Sequence, residues 1–267
     1  MSAIDAAFRR ARAERRAAFI PYLTAGDPDL ATTGDLLRAL VDAGADLVEL
    51  GVPFSDPIAD GPVNQRAAGR ALAAGATLSG VLRLVASRRD ALGVPVVLFT
   101  YFNPLLARGL PAFAEQAAES GVDGVLCVDL PPEEAEEEYR PALLEHGIDP
   151  IFLLAPTSGS RRVKTVARAA RGFVYYVSRT GVTGERERLA EGLLSQAKRL
   201  RRKLKLPLAV GFGISSPEQA AAVAEVADGV VVGSALVRVV EEHADRATLA
   251  AAVEAEARRI AAPLARR

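Results

Sequence analysis

One carboxylate stands inside an otherwise apolar run, Glu49 in the segment LVELG (47–51). A charged carboxylate is costly in apolar surroundings unless it is paired or protonated, and burial raises its pKa. A carboxyl group with a raised pKa suits general acid and base catalysis near neutral pH. The alternative is a structural glutamate that is held in an internal salt bridge. The run therefore marks Glu49 as a candidate catalytic residue.

The segment that follows, VPFSDPIADGPVNQ (52–65), contains three prolines, a glycine and two aspartates, Asp56 and Asp60. This composition is typical of a shaped, turn-rich loop. Asp60 directly precedes Gly61-Pro62 and a predicted helix start. It is therefore either a helix cap or a catalytic carboxylate, and the residues alone leave both interpretations open.

Three further loops carry glycine before a predicted helix: SRTGVTGE (178–185), GFGISS (211–216) and GSA (233–235). Glycine lets backbone N–H groups approach an anion, and a helix N-terminus favours negative charge. A phosphate site in the loops after strands seven and eight is a recurrent feature of (β/α)8 barrels. The three loops therefore favour a phosphorylated substrate over ordinary turns.

Eight short runs of β-branched and apolar residues are predicted strands. They would position Glu49, Asp60 and the glycine-bearing loops. Most of the runs are continuously apolar, as are strands of a parallel sheet that is covered on both faces. The predicted strands are AFIPYLTAG (18–26), ADLVELG (45–51), VPVVLFTY (94–101), VDGVLCVDL (122–130), DPIFLLA (149–155), GFVYYVS (172–178), LPLAVGFG (206–213) and DGVVVGSA (228–235).

Helical patterns separate the strands. They comprise an N-terminal helix, a helix capped by Asp27 with Pro28 in its first turn, a helix with a capping box at Ser216, and segments 63–74, 78–91, 111–121, 133–147, 159–171, 190–204 and 244–264. Eight strand–helix units in regular order predict an α/β fold, a single (β/α)8 TIM barrel with an extra N-terminal helix and additional helices. An open doubly wound sheet is the alternative. No linker-like segment interrupts the pattern, so residues 1–267 are predicted to form one domain.

Composition restricts the class of function. The 267 residues contain 33 Lys+Arg and 33 Asp+Glu, so the basic excess that is typical of nucleic-acid binding is missing. One cysteine excludes an intrachain disulfide, and His146 and His243 lack the spacing of metal ligands. No apolar run has the length of a membrane span, and the N-terminus lacks a signal-peptide pattern. We therefore expect a cytoplasmic protein without a metal site.

Two segments, FIPYLTAGDP (19–28) and LVELGVPFSDPIADGPVNQ (47–65), resemble the signature of tryptophan synthase alpha chains. Similar segments follow in order: TYFNP (100–104), VDLPPEE (128–134), APTS (155–158), YVSRTGVTG (176–184) and GFGISSPEQ (211–219). The resemblance covers nearly the whole chain, and segment 47–65 is its most specific part. It implies a lyase of tryptophan biosynthesis that cleaves indole-3-glycerol phosphate to indole and glyceraldehyde 3-phosphate by a retro-aldol reaction.

The resemblance implies that Glu49 and Asp60 are the catalytic residues. Glu49 would protonate C3 of the indole and then assist removal of the proton from the glycerol hydroxyl group. Asp60 would bind the indole N–H and stabilise the positive charge that develops on the ring. Tyr175 would help to position Glu49 and the substrate, and Thr183 would reach Asp60 when its loop closes.

The resemblance also implies the remaining contacts. Tyr22, Phe99, Tyr101 and Cys127 would line the indole pocket, and Gly184, Gly213, Gly233 and Ser234 would bind the phosphate. The partner would be the tryptophan synthase beta chain in an alpha2-beta2 complex, contacted through Pro53, Phe54, Asp56 and the segment Tyr101–Leu106. Pyridoxal phosphate would belong to that partner, so no cofactor is expected in this chain.

Two residues depart from the family pattern: Asn64 replaces an aliphatic residue, and Tyr22 stands where many members have Phe.

Three alternative functions remain. Another phosphate-binding barrel enzyme, such as a sugar-phosphate isomerase or epimerase, would leave segment 47–65 unexplained. A weakly active subunit that mainly activates the beta chain conflicts with the intact Glu49 and Asp60. A stand-alone lyase with the same chemistry is not distinguished by the sequence.

Overall fold

The computed structural model describes residues 1–177, 191–211, 213–243 and 245–264. Eight parallel strands pair in chain order, and β1 pairs with β8 to close the barrel. The strands are β1 (Ala18–Thr24), β2 (Val48–Gly51), β3 (Val96–Thr100), β4 (Gly124–Cys127), β5 (Asp149–Leu154), β6 (Val174–Val177), β7 (Leu208–Gly211) and β8 (Gly229–Val232). The predicted (β/α)8 barrel is therefore confirmed, and the open sheet is excluded. That residues 1–267 form a single domain stays a prediction.

Thirteen helices in the described ranges surround the barrel or cover its ends. They are α1 (Ala3–Ala13), α2 (Leu30–Asp42), α3 (Pro62–Ala73), α4 (Leu78–Leu92), α5 (Phe102–Arg108), α6 (Leu110–Glu119), α7 (Pro132–Ala135), α8 (Tyr139–Glu145), α9 (Ser160–Ala169), α10 (Glu191–Lys203), α11 (Pro217–Ala224), α12 (Ser234–Glu242) and α13 (Arg246–Ala261). None of these helices has the length and apolar character needed to cross a membrane.

Two local predictions were wrong. The single helix predicted over 133–147 is two helices, α7 and α8, because Pro141 has no N–H for a helical bond and falls into the first turn of a new helix. Asp27 does not cap α2, whose first residues are capped by Asp29 instead. The Asp27 carboxylate is buried and accepts two hydrogen bonds from Arg70 at 2.8 and 2.9 Å. By contrast, Ser216 and Gln219 form the predicted capping box of α11.

Residues alternate along each strand between the barrel interior and the outer layer of helices, as the pleat of a strand requires. The interior cluster contains Ile20, Leu47, Val97, Leu126, Ile151, Phe173, Tyr175, Ala209 and Val231. Their neighbours along the chain, such as Val48, Val125 and Val230, pack against the helices. This alternation determines which side chains near the strand ends can face a site in the barrel mouth.

Helix α1 covers the N-terminal end of the barrel. Ser2 and Asp5 form a capping box that starts the helix, and Ile4 and Phe8 belong to the interior cluster. The ring of Phe8 lies 5.5 Å from the ring of Phe173, measured between centroids. The interior is therefore packed at this end, which leaves the C-terminal end of the strands for a site.

Three aspartates strengthen the same N-terminal end. Three carboxylates each precede a strand and accept a backbone N–H from the first or second residue of the strand before it. The pairs are Asp46 with Phe19, Asp123 with Val96, and Asp228 with Leu208. Each carboxylate also pairs with an arginine: Arg16, Arg89 and Arg201. These charge-assisted bonds hold strands one and two, three and four, and seven and eight in register.

Replacing Phe8 with alanine should lower the free energy of unfolding by about 3–5 kcal/mol, because the change opens a cavity in the barrel floor. Urea unfolding followed by circular dichroism measures the difference. Arg9→Ala is the matched control, since the exposed neighbouring residue should change stability by less than about 0.5 kcal/mol. Equal stability of Phe8→Ala and Arg9→Ala would show that α1 does not seal the barrel.

Candidate functional site

The C-terminal ends of β1, β2 and β3 bring three sequence-predicted residues together. Tyr22 stands opposite Glu49 in the register of β1 and β2, and Phe99 stands opposite Gly51 in that of β2 and β3. The rings of Tyr22 and Phe99 meet edge to face, with centroids 5.4 Å apart. An aromatic wall therefore lies beside Glu49 in the barrel mouth.

Glu49 is 1% exposed, and neither carboxyl oxygen has a hydrogen-bond partner among the described residues. No ion pair to Glu49 forms in that part of the chain either, so the internal salt bridge that was the alternative for this residue is not found. Burial raises the pKa of Glu49 to about 8. The side chain is therefore protonated at neutral pH and is able to donate a proton.

Asp60 is held by Tyr101, which links two loops. The Tyr101 hydroxyl donates a hydrogen bond of 2.8 Å to Oδ2 of Asp60 and accepts one of 3.0 Å from the backbone N–H of Ala59. Helix α3 has Gly61 as its N-cap and no side-chain cap bond, so Asp60 does not serve as the helix cap. Its carboxylate is free to act at the site.

The environment of Asp60 has opposing effects on its pKa. Burial raises the pKa, whereas hydrogen bonds from Tyr101 and from Asn64 lower it. Hydrogen bonds that favour the charged form keep a carboxylate ionised. Burial outweighs these bonds, so the pKa of Asp60 is raised overall, as is that of Glu49, which receives no such bonds. The donors to Asp60 still favour its ionised form, the form required of an anion that works beside an acid.

Two tyrosines border Glu49. Burial, and secondarily the charge of Glu49, raises the pKa of Tyr175 well above its ordinary value, so its hydroxyl stays protonated. The hydroxyl of Tyr22 lies 3.3 Å from the hydroxyl of Thr24. A Cβ atom on Gly51 would stand 2.2 Å from the Tyr22 hydroxyl oxygen, so the glycine at this strand end makes room for the ring.

Cys127 does not lie with these residues, and its predicted place in the indole pocket was wrong. It belongs to the outer layer between β4 and the helices, because the interior positions around it are Leu126 and Val128. Its thiol donates to Asp129 at 3.2 Å, and burial raises its pKa. Counting the alternation from Leu126 would have placed Val128 in the pocket instead.

The predicted phosphate residues are placed in part. Gly213 has a φ of 75°, and Gly233 is the N-cap of α12, with Ser234 as its first residue. Helix α12 has no side-chain cap bond, whereas Ser216 caps α11. The pairing of Gly211 with Val231 brings the loops after β7 and β8 side by side. Thr183 and Gly184 lie outside the described residues.

The residues predicted to contact a partner follow β2. Pro53 is buried, Phe54 is half-buried and Asp56 is exposed. The ring of Phe54 packs on that of Tyr101, with centroids 5.1 Å apart. Ile58, two residues after Asp56, is 85% exposed, and Leu106, at the end of the second predicted contact segment, is 52% exposed. Exposed apolar groups of this size are typical of contact surfaces.

Sequence reasoning missed two polar contributions. The sequence marks Asn64 only as a departure from the family pattern, whereas in the structure it is among the groups that lower the pKa of Asp60. Asp129, two residues after the end of β4, accepts the backbone N–H of Phe102 at 2.8 Å. It thereby fixes the start of α5 beside Tyr101. Within the described ranges, no group of three His, Cys, Asp or Glu residues is arranged to hold a metal ion.

Known proteins of similar sequence identify the family of this chain. Residues 8–264 match the family model described as tryptophan synthase alpha chain. The chain is 54% identical to the tryptophan synthase alpha chain of Geobacter sulfurreducens over 241 residues, covering 90% of this chain and 91% of the relative. It is 51% identical to that of Solibacter usitatus over 260 residues, covering 97% of each.

Solved structures give the same result. The tryptophan synthase subunit alpha from Legionella pneumophila superposes with a TM-score of 0.91 at 40% identity, covering 99% of this chain and 98% of the other. A chain of Mycobacterium tuberculosis tryptophan synthase gives a TM-score of 0.90 at 38% identity, covering 100% and 99%. The chain therefore belongs to the tryptophan synthase alpha chain family, the lyases that cleave indole-3-glycerol phosphate to indole and glyceraldehyde 3-phosphate in tryptophan biosynthesis.

Proposed function

We propose that this chain cleaves indole-3-glycerol phosphate in the barrel mouth, with Glu49 as the acid and base and Asp60 as the stabilising anion. The observation that carries the proposal is the buried Glu49 carboxyl group, which has no partner among the described residues and a pKa raised to about 8. A second carboxylate, Asp60, has donors that favour its charged form. We assign the protonated form to Glu49 and the ionised form to Asp60, because the reaction needs one acid and one anion.

Protonated Glu49 gives its proton to C3 of the indole ring. A carbanion at C3 is a poor leaving group, so protonation must precede or accompany cleavage. The Glu49 carboxylate then takes the proton from the glycerol hydroxyl group next to the bond that breaks. A carbonyl forms, and the electrons of the C–C bond return to the ring. Glu49 ends the cycle protonated, so the step consumes no net proton.

Asp60 accepts a hydrogen bond from the ring N–H and stabilises the positive charge that C3 protonation places on the ring. Preorganised charges of this kind provide a large part of many rate enhancements. The Tyr101 hydroxyl holds the carboxylate before the substrate binds. Tyr175 lies near Glu49 and positions it and the substrate.

The substrate contacts divide into an apolar and an anionic part. Tyr22, Phe99 and Tyr101 line the indole pocket, and Val128 replaces Cys127 in that role because it faces the interior. Gly213, Gly233 and Ser234 bind the phosphate through backbone N–H groups and the Ser234 hydroxyl, at the N-terminus of α12. The roles that the family resemblance implies for Thr183 and Gly184 stay predictions, because both residues lie outside the described ranges.

We further propose a complex with the tryptophan synthase beta chain in the cytoplasm, of the alpha2-beta2 type. Phe54, Asp56, Ile58 and Leu106 give the surface around the mouth an exposed apolar and acidic character that suits a protein partner. The retro-aldol step needs only acid–base groups, so this chain is proposed to work without a cofactor. Pyridoxal phosphate belongs to the beta chain and its separate reaction.

Glu49→Gln should lower kcat for indole release from indole-3-glycerol phosphate by at least about 10²-fold, since the amide cannot exchange the proton. Purified protein is assayed alone and with an added tryptophan synthase beta chain. Glu225→Gln makes the same chemical change at an exposed position after α11 and should leave kcat unchanged. Circular dichroism confirms that each variant is folded.

The outcomes separate the alternatives. Weak release that rises strongly with the beta chain and is lost in Glu49→Gln supports the alpha-chain function. Fast release without a partner identifies a stand-alone lyase. Absence of release by the unmodified chain under both conditions contradicts the proposed reaction.

The rate should also depend on pH. Because the acid form of Glu49 starts the reaction and its pKa is raised to about 8, kcat/KM should fall about tenfold per pH unit above that value. A profile from pH 6 to pH 10, measured with subsaturating substrate, tests this. A flat profile to pH 10 would be incompatible with Glu49 as the proton donor in the free protein.

A further inference from the structure

Two helices carry the two ends of the proposed site. Helix α3 begins at Pro62, two residues after Asp60, and helix α12 begins at Ser234, one of the proposed phosphate residues. Under the proposed function, the indole of the substrate lies at the start of α3 and its phosphate at the start of α12. The distance between the two helices must then match the length of the substrate.

The inner contact between these helices is apolar. Ala67 of α3 and Val237 of α12 form one buried cluster with Tyr22 of β1. A Cβ atom on Gly233 would stand 3.3 Å from the Tyr22 ring, so this ring also lies against the start of α12. Apolar contact is non-directional, so it does not by itself fix the position of one helix along the other.

Arg70, Asp27 and Glu241 form a charged clamp on the same pair of helices. Arg70 of α3 donates to both carboxylate oxygens of Asp27, at 2.8 and 2.9 Å, and from its third nitrogen to Glu241 of α12 at 2.8 Å. Asp27 lies between β1 and α2 and is 3% exposed. Arg66, four residues earlier on α3, makes a bidentate pair with the same Glu241. The charged clamp therefore joins α3 both to α12 and to the loop after β1.

The chemistry of Arg70 allows the charged clamp to fix a distance. A guanidinium group is planar and presents its N–H donors in a fixed fork, so three bonds from one plane restrain both the position and the angle of their acceptors. Because Asp27 is buried, its pair with Arg70 is screened little by solvent. The charged clamp thus supplies the directional restraint that the apolar cluster lacks.

We propose that Arg70 is a positioning residue that sets the distance between Asp60 and the phosphate site, by holding α3 against α12 and against the loop after β1. This rests on the proposed function, in which one substrate molecule spans both places. Arg70 acts through the two helices and not on the reacting atoms. Its loss should therefore affect a ligand that occupies both ends of the site more than a ligand that occupies one.

The test compares a linked probe with its two halves. The linked probe is indole joined at C3 to a phosphate group through a three-carbon chain without hydroxyl groups, and the halves are indole and glycerol 3-phosphate. Arg70→Gln should bind the linked probe about tenfold more weakly, because a small displacement of one end spoils the fit of the other. The affinity for each half should change less than about twofold, since each half can follow its own helix. Isothermal titration calorimetry gives the affinities, with the halves measured by competition against the linked probe.

Arg89→Gln is the matched control. The Arg89 side chain is 34% exposed, as is that of Arg70, and makes a bidentate pair with Asp123 at the opposite end of the barrel. This variant should lose stability in the same way and bind the linked probe as the unmodified chain does. Glu241→Gln opens the clamp at α12 and keeps the pair to the buried Asp27, so it provides a milder second variant. It should show the same selective loss, and circular dichroism confirms the fold of each variant.

Unchanged affinity of folded Arg70→Gln and Glu241→Gln for the linked probe would overturn the inference. So would an equal loss for the linked probe and for glycerol 3-phosphate, which indicates damage to the phosphate site itself, or an equal loss in Arg89→Gln, which indicates general destabilisation. Binding does not depend on cleavage. If the unmodified chain binds the linked probe but does not cleave indole-3-glycerol phosphate, the proposed function alone fails. If it does not bind the linked probe, both proposals are contradicted.

Discussion

The carboxyl group of Glu49 lies in the interior without a cation to pair with it in the described part of the chain, and this constraint organises the site. A carboxylate in that position would be too costly to keep charged, so the group stays protonated at neutral pH. The closed barrel and the aromatic rings of Tyr22 and Phe99 maintain the dry surroundings. Stability of the fold and reactivity of the site therefore have the same physical origin.

Asp60, by contrast with Glu49, is required in its ionised form. It is half-buried and burial raises its pKa, yet the hydrogen bond from Tyr101 favours its charged form. The difference between the two carboxyl groups does not come from their chemistry, which is nearly identical, but from the number of donors around each. Tyr101 contributes twice, since its hydroxyl also fixes the backbone at Ala59. The site is built by positioning donors near one carboxyl group and excluding them from the other.

The periodicity of the chain was sufficient to predict the barrel, because eight continuously apolar runs separated by helices have few other solutions. Glu49 was recognisable because a charged residue interrupts such a run. Features that depend on three-dimensional contact were not accessible. The bond from Tyr101 to Asp60 joins residues 41 positions apart, and the outward direction of Cys127 depends on strand register. The break between α7 and α8 could have been read from Pro141.

Helix α1 determines the route by which molecules can enter and leave the barrel. Ile4 and Phe8 close the N-terminal end of the barrel, so the described interior is open only at the C-terminal end of the strands. Indole and glyceraldehyde 3-phosphate must then leave by the entrance through which the substrate came. A conduit that carries indole to another protein has to begin at the rim and cannot pass through the floor. Under the proposed function, a protein that receives indole would dock on the strand-end loops, where the rings of Phe54 and Tyr101 pack together.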